Sequence, residues 1–554
     1  MLRRWNPWPV FGWELRRASR QSSFYVARSV LVGGLLAGLA AVWWGTVWRL
    51  DVSQPSGLSQ AGRFFFIVMA VVQLCLVALA APAATAGAFC SELSRGHVDL
   101  VLATGMTALD VVVGTLAARF VQVLSGVACV VPLLVLSHRL FGVPIECLFA
   151  LELVTAGCAT AGCTLALAVS TTARRFHEVL VTTYVILAGW LLGYPVIMII
   201  STTPVGRLIP SALPRTLLAI NPFRVALEPM TGPLSPSPFG PWALFGTAIG
   251  VAIALAGFAA WRLGSMGNAT PARRGRTWRL AAYWPGSGLD ANPIVWRECR
   301  QARTSWWFRL LWASYVTGAV VFTSAAVYEC VQNNARKTDW AAPFNGFQVT
   351  VGLLLLSLTT PAALAEDRAR GTLDVLLSTP LSTRAIVLGK WWAHYRVVPW
   401  LALLPTAVAS AHAFREQRWG GVLLIGLSVL ALGSAATSLG IGLAAWFTRI
   451  EQALTLSAAF WIGMTVAWVV LVMLVVGEKT QLAMGLASGS PFFGVGILTG
   501  QIAEAPRDKW PFHVFWASIW IVVYFAAAAA LLIVTLRSFD RCVGRVPAGR
   551  DGCE

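Results

Sequence analysis

The sequence predicts an all-α polytopic membrane helix bundle, built as two tandem six-helix halves with short amphipathic helices on the cytoplasmic side. Three observations predict it. The chain of 554 residues is 57% hydrophobic and only 12% charged, with a mean hydropathy of +0.69, more apolar surface than a soluble domain buries. Apolar runs long enough to cross a bilayer as helices recur about six times in each half. A polar segment lying between two such runs is written twice.

The spans follow in order from the runs of about 20 apolar residues that a crossing helix needs, since lipid satisfies no backbone polar group. In the first half they lie near 29–48, 64–84, 110–136, 145–170, 179–201 and 241–263. In the second they lie near 308–329, 347–365, 385–411, 420–447, 453–476 and 513–536. The third and fourth runs of each half are long, which calls for tilt or a broken helix. The domain reading is a first six-span half over 1–265, a basic linker over 266–290 and a second six-span half over 291–554.

The repeated segment reads SELSRGHVDLVLATGMTALDVVVGTL at 91–116 and AEDRARGTLDVLLSTPLSTRAIVLGKW at 365–391. Without a gap, Arg95-Gly96 falls on Arg370-Gly371, Asp99 on Asp374, Thr107 on Ser382 and Gly114 on Gly389. Other landmarks pair as well. Asn6-Pro7 followed by Glu14 and Arg16 answers Asn292-Pro293 followed by Glu298 and Arg300, and Asn221-Pro222-Phe223 answers Ser490-Pro491-Phe492. With an even number of spans between them, the copies share one orientation. About 27 of the 42 Lys and Arg fall on the side of the termini, linker and repeated loop, which the positive-inside rule makes cytoplasmic. The net charge of +18 then reflects lipid head groups, and no basic domain presents a groove for nucleic acid. The first apolar run ends in Trp43, Trp44 and Trp48, so it reads as a retained helix and not as a cleaved signal.

Catalytic and metal-binding classes find no support in the sequence. The longest polar stretch, about 263–307, is too short for an ordinary catalytic domain. Gly389-Lys390 lacks the upstream glycine of a phosphate loop, the six His never pair at ligand spacing, and the ten Cys form no CxxC pair. The expectation is a chain that is not an enzyme and binds no cofactor or metal. Polar residues inside apolar runs are costly. Of these, Arg119 and Arg396 read as snorkelling to the surface, whereas Glu152, near Gln73 in kind, is a candidate lining for a substrate path.

Taken as a helix, 366–377 places Leu373, Leu376 and Leu377 on one face and Glu366, Arg370 and Asp374 on another. The first copy places Val98, Val101 and Leu102 opposite Glu92, Arg95 and Asp99. Such helices are expected to lie on the membrane surface with their apolar side down. Pro380 ends the second, and Thr107 and Ser382 are placed to cap the spans that follow. Retention of the acidic, Arg-Gly, apolar-Asp order in both copies points to a docking element.

The second copy resembles the type-2 ABC exporter permeases, whose segment runs Arg-Gly-Thr-Leu-acidic-Leu-Leu-Leu, then Thr-Pro-Leu-Ser and Gly-Lys. Here those positions are Arg370-Gly371-Thr372-Leu373-Asp374-Val375-Leu376-Leu377, Thr379-Pro380-Leu381-Ser382 and Gly389-Lys390. The resemblance implies six spans per unit, an amphipathic entry helix around Glu14 and Arg16 and around Glu298 and Arg300, and a hairpin before each last span. It also implies that the loop (Glu92, Arg95, Gly96 and Asp99; Glu366, Arg370, Gly371 and Asp374) couples to separate ATPase subunits, two in number, on which ATP is bound. The first copy departs at His97, Gly105-Met106 and Thr115, which stand where Thr372, Pro380-Leu381 and Lys390 do. Three readings follow from the whole: a fused ABC exporter permease of the bacterial inner membrane, a secondary carrier of two parallel repeats, or a membrane protein that transmits ATPase motion without transport.

Overall fold

The structure is a computed structural model of the whole chain. It describes residues 7–20, 55–89, 105–173, 176–201, 212–231, 240–266, 293–301, 306–331, 340–369, 371–476, 481–504 and 510–544, with isolated positions between them. Every described element is a helix. Ten described stretches are long and apolar enough to cross a membrane, and an eleventh would be the bent pair 481–487 and 491–502. The protein is a multi-pass membrane protein. The span expected at 29–48 lies largely outside the described residues.

The chain forms two compact units, residues 1–274 and 275–554 apart from the short segments 202–204 and 473–477. In the first, α1 (Trp8–Ser19) precedes α2 (Pro55–Thr85), α3 (Ala108–Ala128), α4 (Val131–Phe141), α5 (Ile145–Ser170) and α6 (Phe176–Ser201). The short α7 (Ala212–Ala219) and α8 (Pro222–Thr231) then lead to α9 (Pro241–Met266). In the second unit α10 (Pro293–Gln301), α11 (Trp306–Val331), α12 (Ala341–Ala369), α13 (Thr372–Leu377), α14 (Thr383–Tyr395), α15 (Val398–Glu416) and α16 (Trp419–Trp446) follow one another. Next come α17 (Ile450–Ile462), a π turn over Gly463–Ala467, α18 (Trp468–Val476), α19 (Gln481–Ala487), α20 (Pro491–Glu504) and α21 (Trp510–Val543).

The long third runs are broken helices, at 129–130 in one unit and 396–397 in the other. Pro132 and Pro399 stand in the first turn beyond each break, where a missing amide costs nothing. Cys129 and Val130 donate to carbonyls three residues back, as does Val397, so a tightened turn absorbs each bend. The fourth runs stay continuous and pack closely on the second. Gly162 of α5 faces Ala81 and Pro82 of α2, and Gly440 of α16 faces Thr360 and Pro361 of α12; a Cβ on either glycine would approach to 3.0 Å.

The hairpin before each last span is built alike in the two units. Asn221 caps α8 by accepting from the amides of Phe223 at 3.0 Å and Arg224 at 3.4 Å, and donates its own amide to Leu191 O of α6 at 2.9 Å. Trp190 of α6 returns the contact, donating to Ile220 O at 2.9 Å. In the second unit Ser490 donates to Thr465 O, inside the π turn, at 3.0 Å, and Trp468 donates to Leu486 O at 2.9 Å. α19 and α20 are bent by 120° at this break. Trp516 and Trp520 of α21 lie over Gly485 and Gly489, where any Cβ would collide with the indole rings.

Candidate coupling site

The loop helix α13 is shorter than its charge spacing predicts. α12 runs through Glu366 to Ala369, and Gly371 then turns the chain with φ of 68°, a left-handed conformation that glycine adopts without a Cβ clash. Glu366 and Asp374 therefore stand on different helices. Glu366 is half-buried at the end of α12, whereas Asp374 is exposed on α13, and Arg370 lies outside the described residues. The leucines behave as their spacing predicts: Leu373 and Leu376 are buried and Leu377 packs beside them. Their surroundings correct the expected lipid contact, because Ile294, Leu364, Ile386, Ala444 and Phe539 cover them. The apolar face of the loop helix is buried in protein, and Asp374 and Val375, the latter 67% exposed, face outward.

The acid that organises this end of the bundle is Asp367, which helical spacing passed over. Its Oδ1 accepts from Arg297 Nη2 of the entry helix α10 at 2.8 Å and from Thr372 Oγ1 of the loop helix at 2.9 Å. Its Oδ2 accepts from Lys390 Nζ of α14 at 2.6 Å. Lys390, with 1% of its side chain exposed, also donates to Glu298 Oε1 at 2.7 Å and Ala363 O at 3.2 Å. Three ammonium hydrogens thus meet three oxygens, and two carboxylates balance two cations, so the buried charge is compensated. The next residue, Arg368, donates to the carbonyls of Ala444, Ala445 and Phe447 at 2.8–3.2 Å, closing the last turn of α16. One turn of α12 therefore joins entry helix, loop helix, α14 and α16. The ungapped repeat already pointed to Asp367, since it places Glu92 on Asp367 and not on Glu366.

In the first unit Glu92, Arg95, Gly96 and Asp99 lie outside the described residues, as does the side chain of Arg300 in the second. Glu14 of α1 pairs with Arg119 Nη2 of α3 at 2.8 Å, which corrects the reading of Arg119 as a snorkelling residue. Arg16 is exposed and donates to Gly12 O of its own helix at 3.1 Å. α1 crosses α3 over Gly114, where a Cβ would lie 2.7 Å from Pro7 O. Arg396 donates back to Ala393 O at 3.1 Å. The expected caps are present: Thr107 forms a capping box with Asp110, and Ser382 accepts from the amide of Ala385 at 3.2 Å.

Deeper in the bundle, Glu152 accepts from Gln73 Nε2 at 3.1 Å, and the same amide donates to Thr155 at 3.2 Å, tying α2 to α5. The same offset of the repeat places Gln73 on Gln348. Gln348 is also buried, in a neutral network with Asn345, Thr323 and the Tyr315 hydroxyl. Sequence reading missed both Asn345 and Gln348.

Residues 292–541, which hold α10, α13 and the cluster around Asp367, match the family model described as ABC-2 family transporter protein. The C-terminal half carries an ABC-2 family transporter domain. That family is a membrane component of transport, and the ABC-2 domain here includes the entry helix, the loop helix and the bent pair before the last span. No similar protein is found among curated proteins.

Proposed function

We propose that the chain is the membrane-spanning permease of an ABC exporter, with both six-span units fused in one polypeptide and ATP hydrolysed on two separate nucleotide-binding subunits. The chain itself binds no cofactor. It lies in the plasma membrane, the inner membrane of a bacterium, with the loops and both termini on the cytoplasmic face. The observation that carries this reading is α13, in the ABC-2 domain. Its apolar side is fastened into the bundle while Asp374 and Val375 are presented outward. A helix held on one side and free on the other can receive a push and pass it to the spans.

The test is Asp374→Lys combined with Val375→Asp. Both side chains are exposed, so insertion should be retained. The amount of ATPase subunit that co-purifies should fall at least tenfold, because like charge and lost apolar contact at a docking surface weaken association. Undiminished co-purification, or transport by the purified chain on an ion gradient without any ATPase, would overturn the proposal.

A further inference from the structure

Each unit fastens its entry helix to the helix that follows the loop with one cation, but the cation stands at a different place. The offset that puts Gly114 on Gly389 puts Thr115 on Lys390 and Arg119 on His394. In the second unit the cation is Lys390, and it holds Glu298 of α10 and Asp367 of α12 together. In the first unit Thr115 is buried where that lysine would be, and the cation is Arg119, four residues further along α3 and so one turn away on the same face. It holds Glu14 of α1, and its buried Nε has no hydrogen-bond partner among the described residues. The second unit places His394 at the turn of Arg119, its Nδ1 3.0 Å from Lys390 O.

We infer that Lys390 and Arg119 are two placements of one positioning cation, and that its placement decides how many elements it binds together. At the turn of Lys390 it joins the entry helix to α12, and through Asp367 and Thr372 to the loop helix. At the turn of Arg119 it joins the entry helix to α3. In the second unit the cation thereby ties the loop to the spans. This goes beyond the permease reading and needs no partner subunit, so it stands or falls on the chain alone.

The experiment moves the cation by one turn in the second unit of the full-length chain in lipid nanodiscs, with hydrogen–deuterium exchange as the readout. Lys390→Thr should speed exchange by at least about fivefold in both α10 and α13, since Glu298 of α10 loses the ammonium and so does Asp367, which holds Thr372 of α13. Adding His394→Arg should return α10 to within about twofold of the parent while α13 stays fast, because the arginine reaches Glu298 from the turn that Arg119 uses. Lys390→Arg should keep both segments protected. If Lys390→Thr leaves α10 unchanged, or His394→Arg fails to restore it, the cation is not the clamp. If the double variant restores α13 as well, placement has no consequence. Should Lys390→Thr fail to fold, Glu298→Gln serves: α10 should loosen while α13 keeps its protection, and an unaltered α10 would refute the inference.

Discussion

At the scale of single residues, burial and pairing separate side chains that look alike in the sequence. Asp367 meets three donors from three helices, whereas Asp374 is exposed on α13. Asp367→Asn should therefore lower stability by roughly 3 kcal/mol, because it leaves the buried Lys390 with one carboxylate instead of two. Asp374→Asn should move it by no more than about 0.5 kcal/mol. Thermal unfolding in one detergent compares them, and equal shifts would mean that the cluster carries no stability. Sequence reading chose Glu366 because residues four apart share a helix face, a rule that fails where Gly371 takes φ of 68° and ends the helix. The leucines and both caps were legible because burial and capping need no partner from afar. Asp367 needed Arg297 and Lys390, which lie 70 and 23 residues away. The joints after the two loop segments differ too: Gly105 has φ of 88°, which proline, fixed near −65°, cannot adopt. Gly105→Pro should accordingly cost insertion or folding yield, while Pro380→Gly should leave yield near that of the parent and show its effect in ATPase coupling. Equal yields, measured by size-exclusion chromatography, would show that the joint relaxes.

At the scale of elements, the hairpins illustrate what a proline announces and what it conceals. Asn221-Pro222 and Ser490-Pro491 were legible as matching landmarks of the two halves, and each residue before proline caps the helix that follows. The reciprocal tryptophan contacts and the π turn were not legible, since they depend on which carbonyl faces which side chain after folding. Ser490 reaches Thr465 O inside the π turn. Asn221 makes three such bonds and Ser490 two, the longer at 3.4 Å. Asn221→Ala should thus cost about 2 kcal/mol and Ser490→Ala about 1 kcal/mol, both at the level of a lost cap plus one hydrogen bond. Local exchange in α8 and α20 checks the order, and a larger loss at Ser490 would mean that the cap is not what holds the hairpin. The glycines under the α2–α5 and α12–α16 crossings mark the other kind of repeated contact, set by close approach and not by polarity.

At the scale of the whole molecule, the number of crossings follows from which ends lie together. α1 packs over Gly114 and pairs Glu14 with Arg119, so it lies at the end of α3 near the loop. Phe89, past the end of α2, packs with Val111 and Val112 at that same end. α2 is long enough to cross, so Pro55 at its start stands on the opposite face from α1. The apolar run at 29–48 stands between these two ends in the sequence, where a crossing is expected of it. Six spans in the first half, the number expected of its sequence, would put the linker on the face of α1. On a background cleared of native cysteines, Ser53→Cys and Ser235→Cys should react with an impermeant thiol reagent added to intact cells. Ser287→Cys, in the linker, should react only after the membrane is opened. Protection of Ser53→Cys would place the start of α2 beside α1, and the first unit would then be a five-span bundle whose entry helix has no membrane span of its own. Labelling of Ser287→Cys from outside would reverse the orientation read from the Lys and Arg bias, and with it the side from which an ATPase could reach Asp374.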